Sequence, residues 1–414
     1  MLERRIGVMI MKILVVTNSC SAKKYEEVCK LRHQTIVDPQ QKFFRLFIDG
    51  LSMLDKVDVE VISALPVSSS TVHQKRFDYD TEVTETGVKY HYLPFRNGKI
   101  SRYLTLMRAV KKYTKRLSRD WVNADTYVIV DALVPVLTIP CKRIVRKKGV
   151  KVGAIVTDIP SLATKMKNRK EGLLKRLFLC VYQKISDMDL KSYDFFIPLT
   201  ESINDVVNEN ERPYCVVEGF ADIKDTTVSE THENYVMYAG GVYEKYGVKN
   251  LVDAFVSLNR TDVSLKIFGD GSYVEELKAV SEEHPNVQYM GCMLPEEVVE
   301  YEKKALLLVN PRPTEEEFAK YSFPSKTMEY LLSGTAVIST RLPGIPDEYF
   351  DFMYAFEDSS YHGIQKGLEL VLDIPKEKLV QQGRLGHEFV MNQKNNVRMA
   401  EKIKVFLNDR VSIV

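Results

Sequence analysis

The sequence predicts an α/β protein made of two doubly wound units, each a parallel sheet covered by helices. Three observations carry this. Short β-branched runs alternate with amphipathic stretches along the chain. The alternation starts afresh at Tyr235-Val236-Met237-Tyr238-Ala239-Gly240-Gly241, after a polar, linker-like stretch from Glu218 to Glu233. A length of 414 residues exceeds one ordinary core and suggests two domains.

In the first half, strands are expected at 12–17, 57–63, 126–131, 151–157, 194–199 and 214–218, with helices such as 39–54, 103–118 and 171–187 between them. Phe44, Phe47, Ile48 and Leu51 form one helical stripe that should pack on the first strand. The second half repeats the pattern: strands 235–239, 263–268, 287–290, 306–309 and 336–339, helices 249–257, 273–283, 295–303 and 325–333. The end, 376–410, reads as helical, with Met399, Ile403, Phe406 and Leu407 as an apolar stripe.

Composition excludes several classes. An apolar content of 45% with 28% charged residues fits a globular protein, and a net charge of +2 gives no overall field for nucleic acid. The six cysteines form no Cys-x-x-Cys pair, which fits reduced thiols in a cytosolic protein. No apolar run approaches the ~20 residues of a membrane span. Lys12 interrupts the apolar start, so a signal peptide is not expected, and Met11 can serve as an alternative start. Charge is uneven, however. From Lys142 to Arg176 there are 12 Lys/Arg against 2 acidic residues, and from Arg102 to Arg119 there are 7 and none.

The most informative stretch is 322–349. Ser325 can cap a helix, Met328, Leu331 and Leu332 share one helical face, and Gly334 sits where a left-handed cap is wanted. Ala336-Val337-Ile338 fits a strand covered on both faces. Glu329, near the start of this helix, suits a ribose, with free N–H groups nearby for phosphate. This stretch resembles the nucleotide-sugar signature of glycosyltransferase family 4, whose members have the GT-B fold. In that family two glutamates eight positions apart open the helix, and Glu329 matches the second, the ribose ligand. The first falls on Tyr321, a departure at the contact to the donor sugar.

The resemblance implies two Rossmann-like domains facing a central crevice: 1–218 for the acceptor and 219–395 for the nucleotide sugar, with the last helix, 396–414, crossing back onto the first. Gly240-Gly241 after a buried strand let backbone approach a phosphate. They resemble the family's first donor loop, where an Arg and a Lys neutralise the diphosphate. Here those positions hold Gly241 and Tyr246, so Lys326, then Arg312, then Lys245 are the replacements, in that order. Gly269 and Gly271 match the family's Gly-x-Gly block beside the nucleotide. Asp158 stands where many members have a histidine facing the donor sugar, and with Lys326 it is the catalytic candidate. Asn18, in the first loop, and Asp131, at a strand end, are acceptor-side candidates. Asp158 and Asp131 can each orient an acceptor hydroxyl, and each can simply cap a helix or bind a loop.

The resemblance thus implies a glycosyltransferase using a nucleotide-diphosphate sugar on a glycan or lipid-linked acceptor in cell-surface polysaccharide synthesis, with retention, and with no cofactor or metal. The departures at Tyr321, Gly241 and Asp158 leave an alternative, a nucleotide-sugar-binding partner without turnover. The 142–176 region, with Lys167, Arg169, Lys170, Lys175 and Arg176 beside Leu173, Leu177 and Phe178, is expected to favour an anionic membrane surface. The expected location is cytoplasmic, peripheral on the inner face of the plasma membrane.

Overall fold

The computed structural model describes residues 10–32, 38–119, 121, 126–159, 173–224 and 227–412. The chain divides into two compact units: residues up to Phe220 with Asn396–Val414, and Ala221–Asn395.

In the first unit, seven of the described strands form one sheet: β1 (Met11–Thr17), β2 (Val57–Ser63), β4 (Asp80–Val83), β5 (Lys89–Tyr92), β7 (Thr126–Asp131), β8 (Lys151–Val156) and β9 (Phe195–Pro198), in the order β4-β5-β2-β1-β7-β8-β9. β3 (Arg76–Phe77) and β6 (Phe95–Arg96) make a separate ribbon. Pairing in the large sheet is parallel except at its β4 edge. The β-branched core of β1 is buried on both faces, as a parallel sheet under helices requires. Phe44, Phe47, Ile48 and Leu51 of helix Pro39–Ser52 pack into one core with Ile13 and Val15 of β1. Met399, Ile403, Phe406 and Leu407 join that same core, so the last helix, Asn396–Phe406, closes the first unit. At Gly50 the fit is so close that a Cβ would lie 2.2 Å from the Asn396 carbonyl oxygen.

Segment 214–218, expected as a strand, makes only an isolated bridge from Tyr214 to Phe196, with Cys215 and Val217 donating to the carbonyls of Phe196 and Pro198. Pro213, just before it, has no N–H to extend the ladder. The expected 376–410 helix is in fact broken: Lys376–Gln393, then Asn396–Phe406.

The second unit has a six-stranded parallel sheet: β10 (Tyr235–Ala239), β11 (Ser264–Phe268), β12 (Val287–Gly291), β13 (Leu307–Asn310), β14 (Ala336–Ser339) and β15 (Tyr354–Ala355), ordered β12-β11-β10-β13-β14-β15. Helices pack on both faces around two cores, one holding Val236, Leu251 and Ile338, the other Met237, Leu331 and Phe389. Both sheets run outward in one direction and then return to the centre to run the other way. The turning point lies between β1 and β7 in the first sheet and between β10 and β13 in the second. Ligands of open α/β sheets collect at such points, outside the carboxyl ends of the strands. Among the described residues no helix is long and apolar enough to cross a membrane.

Candidate active site

At the turning point of the second sheet, a pocket is lined by Tyr238 of β10 with Gly240 and Gly241 just after it, Asn310 at the end of β13 with Arg312 beyond, and Ser325 and Lys326 at the start of helix Ser325–Leu332. Local chemistry builds each wall. The Tyr238 hydroxyl donates to the Gly241 carbonyl at 2.9 Å, and the Ala239 N–H donates to the Tyr330 hydroxyl at 2.9 Å, pinning the glycine turn. Gly269, at φ +125°, comes so close to the turn that a Cβ would sit 1.8 Å from the Gly240 carbonyl oxygen. Gly271 presses likewise on the Val242 carbonyl, and Gly247, at φ +80°, on that of Pro311. The glycines are there for backbone contact between loops. The Thr340 hydroxyl donates to the Arg312 carbonyl at 2.6 Å and fixes the loop that carries the guanidinium.

The two charged side chains of the lining, Arg312 and Lys326, are both cations. Arg312 lies 5.1 Å from the Tyr246 ring centroid, and burial pulls its ionisation below the usual arginine value. Lys326 sits between two carboxylates, 3.0 Å from Glu329 Oε2 and 3.3 Å from Glu302 Oε1. Burial alone would lower the lysine, but Glu329 and Glu302 more than offset it and hold the ammonium above its usual range. Glu302 is buried on helix Pro295–Lys304, while Lys326 and Glu329 are about a third exposed.

Of the expected donor-side residues, Gly240, Gly241, Arg312, Ser325 and Lys326 meet in this pocket, Glu329 touches it through Lys326, and Gly269 and Gly271 support its floor. Lys245 does not line it; it is exposed, over the Tyr243 and Tyr246 rings. Ser325 does not cap the helix. Pro324 takes the cap position with extended backbone, its carbonyl accepting from the Thr327 N–H, and Ser325 is the first helical residue. Glu302 and Tyr330 escaped the sequence reading. Tyr301-Glu302-Lys303-Lys304 looks like an exposed charged turn, and no signal marks Glu302 as buried.

In the first unit, Asn18 and Asp131 flank the turning point between β1 and β7. The Asn18 carbonyl accepts from Gln41 Nε2, and its side-chain oxygen is buried without a hydrogen bond. Asp131 is fully buried, accepting from the Leu133 N–H and Gln40 Nε2, both at 2.9 Å. Burial pushes its carboxyl up to about 7, against those two bonds. Asp158 is exposed after β8, its carboxylate accepting from the Ile159 N–H. Of the basic 142–176 region, Lys167, Arg169 and Lys170 lie outside the described residues, as do the side chains of Leu173–Phe178. Lys142 is buried, paired with Asp189, and Lys148 donates to the Ser118 carbonyl.

Two doubly wound sheets, the second with a pocket at its carboxyl end, are the architecture of the GT-B fold. Residues 233–359 match the family described as glycosyl transferases group 1. Curated protein sequences give no significant match. Among solved structures, sucrose-phosphate synthase from Thermosynechococcus elongatus is similar at TM-score 0.64 and 12% identity, covering 98% of this chain and 100% of that one. Anabaena HepE in complex with UDP follows at 0.58 and 13%, covering 96% and 100%. The lipopolysaccharide outer core galactosyltransferase WaaB, in apo form, matches at 0.59 and 15%, covering 96% and 99%. At these identities the likeness is one of fold.

Proposed function

We propose that this chain moves a sugar from a nucleotide-diphosphate sugar to a glycan or lipid-linked acceptor in cell-surface polysaccharide synthesis, with retention at the anomeric carbon. The observation that supports it most is the meeting of Arg312 and Lys326 at the turning point of the second sheet. Negative charge grows on the diphosphate as the glycosidic bond breaks. Cations already in place favour that state over the ground state and so raise the rate.

In this reading, the Gly240-Gly241 backbone and the first turn of helix Ser325–Leu332 receive the phosphates. Glu329 accepts the ribose hydroxyls, Gly269 and Gly271 border the nucleotide, and Lys245 adds long-range charge. The first unit binds the acceptor around Asn18 and Asp131, and Asp158 faces the transferred sugar. The leaving-group charge is met by side chains, with no metal or cofactor. The Anabaena protein is in complex with UDP, a nucleotide diphosphate of the class assigned, and WaaB is a galactosyltransferase of the lipopolysaccharide outer core. The location is cytoplasmic and peripheral to the membrane.

A thermal-shift panel of nucleotide sugars tests the donor site, since a specific ligand raises stability by mass action. No shift with any nucleotide sugar would overturn the reading. The departures at Tyr321, Gly241 and Asp158 favour a second reading, a nucleotide-sugar-binding partner of another transferase. A donor that shifts the melt but is neither hydrolysed nor transferred by the purified chain selects it.

A further inference from the structure

Helix Ser101–Leu117 has an outward face that no described element covers, and that face changes character along its length. Its inner side, Leu106, Ala109, Val110 and Tyr113, is buried. Its outer side begins apolar: Ile100 is 74% exposed and Leu104 51%, with Met107 beside them. The same side then turns basic, with Arg108, Lys111, Lys112 and Lys115 exposed. Positions 100, 104, 107, 108, 111 and 115 follow the helical repeat and share one face. No acidic residue lies between Ser101 and Arg119 to neutralise it.

A second helix, Leu173–Leu190, adds to the apolar end. It exposes Val181, Ile185 and Met188, the last at 74%. Both helices pack against helix Pro135–Val145. Both helices are tied to the sheet end that carries Asn18 and Asp131. The Arg102 guanidinium donates to the Leu65 carbonyl, just past β2, and the Tyr182 hydroxyl to the Leu133 carbonyl, just past β7. Leaving this many large apolar side chains in water is costly unless something covers them. Apolar side chains followed by cations on helix Ser101–Leu117, which carries no anion, match a lipid surface with anionic headgroups. On the second helix Asp187, beside Met188, is partly exposed, while Asp189 is buried.

The geometry points to docking of the first unit on an anionic bilayer through helices Ser101–Leu117 and Leu173–Leu190. This deepens the transferase reading and rests on it for one point, the acceptor: a lipid-linked chain rising from the bilayer would emerge beside Asn18 and Asp131. The surface itself stands on exposure and charge.

Full-length protein is sedimented with vesicles of phosphatidylcholine alone or with phosphatidylglycerol added. Binding is expected only with the anionic lipid, and weaker in high salt. Leu104→Glu with Met107→Glu, and separately Lys111→Gln, Lys112→Gln and Lys115→Gln, should each cut the bound fraction at least tenfold. Lys278→Gln, on helix Val274–Glu283 of the second unit, should not. These side chains are exposed, so the thermal midpoint should hold in every variant. Failure of the unaltered protein to bind, or binding that survives both sets of changes, overturns the inference. So does gel filtration showing a dimer that Leu104→Glu splits, because the face would then pair two copies. The nucleotide-sugar melt, run without vesicles, keeps the two readings apart. Donor shifts without vesicle binding sink only the docking surface, and vesicle binding without any donor shift sinks only the transferase reading.

Discussion

The Lys326 ammonium lies 3.0 Å from the Glu329 carboxylate one turn further along the same helix. A cation suited to a diphosphate and an acceptor suited to a ribose thus hold each other in place before any ligand arrives. Such preorganisation removes part of the ordering cost of binding. It also ties the two residues together, so that changing either alters the other.

Glu329→Ala is expected to weaken nucleoside diphosphate binding by about 1.5–3 kcal/mol, the usual worth of a charge-assisted hydrogen bond. The fold should stay intact, because Glu329 is partly exposed. Calorimetry with the diphosphate decides; unchanged affinity removes Glu329 from the site.

Lys326→Ala should lower kcat by about 10²–10³, the scale for losing a group aimed at transition-state charge, and affect nucleoside binding little. It also strips a cation from the buried Glu302 carboxylate. Stability should drop by about 1–3 kcal/mol, less than for a fully buried pair because the lysine is partly exposed. Adding Glu302→Gln should restore the melting temperature without restoring turnover. If turnover survives in Lys326→Ala but vanishes in Arg312→Ala, Arg312 is the cation that matters.

Asp131 sets a pH dependence. Its folded carboxyl is pushed up to about 7, above an unfolded value near 4. The folded state therefore holds the proton more tightly, and this group's contribution to stability falls as pH rises from about 4 to about 7. Asp131→Asn should flatten that decline and raise the melting temperature at pH 8. Near pH 4 the two proteins should agree. The Gln40 amide can turn to present its oxygen to the new donor. A steeper loss of stability with pH in the variant would contradict this account.

Gly269→Ala should damage the donor pocket from below. The residue combines φ +125° with a Cβ 1.8 Å from the Gly240 oxygen. The cost should be at least about 2 kcal/mol, from strain at a left-handed position plus the clash. Donor affinity should fall with it because the glycine turn must move. Denaturant melts and the nucleotide thermal shift measure the two effects separately.

Much of the fold is visible in the residues. The Ala336–Ser339 strand has the bounds read from its β-branched run, and Gly334 has the expected left-handed φ of +77°. Buried parallel strands and glycine stops announce themselves because burial and backbone sterics restrict which residues can serve. The Asp80–Val83 and Lys89–Tyr92 edge carries little signal in the sequence: a short, mostly exposed strand such as Asp80-Thr81-Glu82-Val83 has no clear period. Helix Tyr361–Leu372 was hidden by Gly363 and Gly367, which look like breakers. They are there because a Cβ at 367 would sit 2.5 Å from the Phe356 ring. At the site, Arg312 could be singled out by its place after a strand end, and Lys326 and Glu329 by the start of their helix. Glu302 could not, because its burial depends on how two helices distant in sequence pack.

The helix at Asn396–Phe406 gives the order of synthesis a physical meaning. The core around Tyr127 and Phe195 is closed by Phe406 and Leu407, with the two Phe rings 5.9 Å apart. On a ribosome, those closing side chains appear only after the whole of Ala221–Asn395 has been made. At about 5–20 residues per second that is a wait of roughly 10–35 s. The second unit, continuous in sequence, can therefore finish folding before the first. Meanwhile the seat of the last helix stands open, a place where a chaperone would bind and a protease would cut. Arrested chains ending before Asn396 should be cleaved within the first unit while Ala221–Asn395 resists.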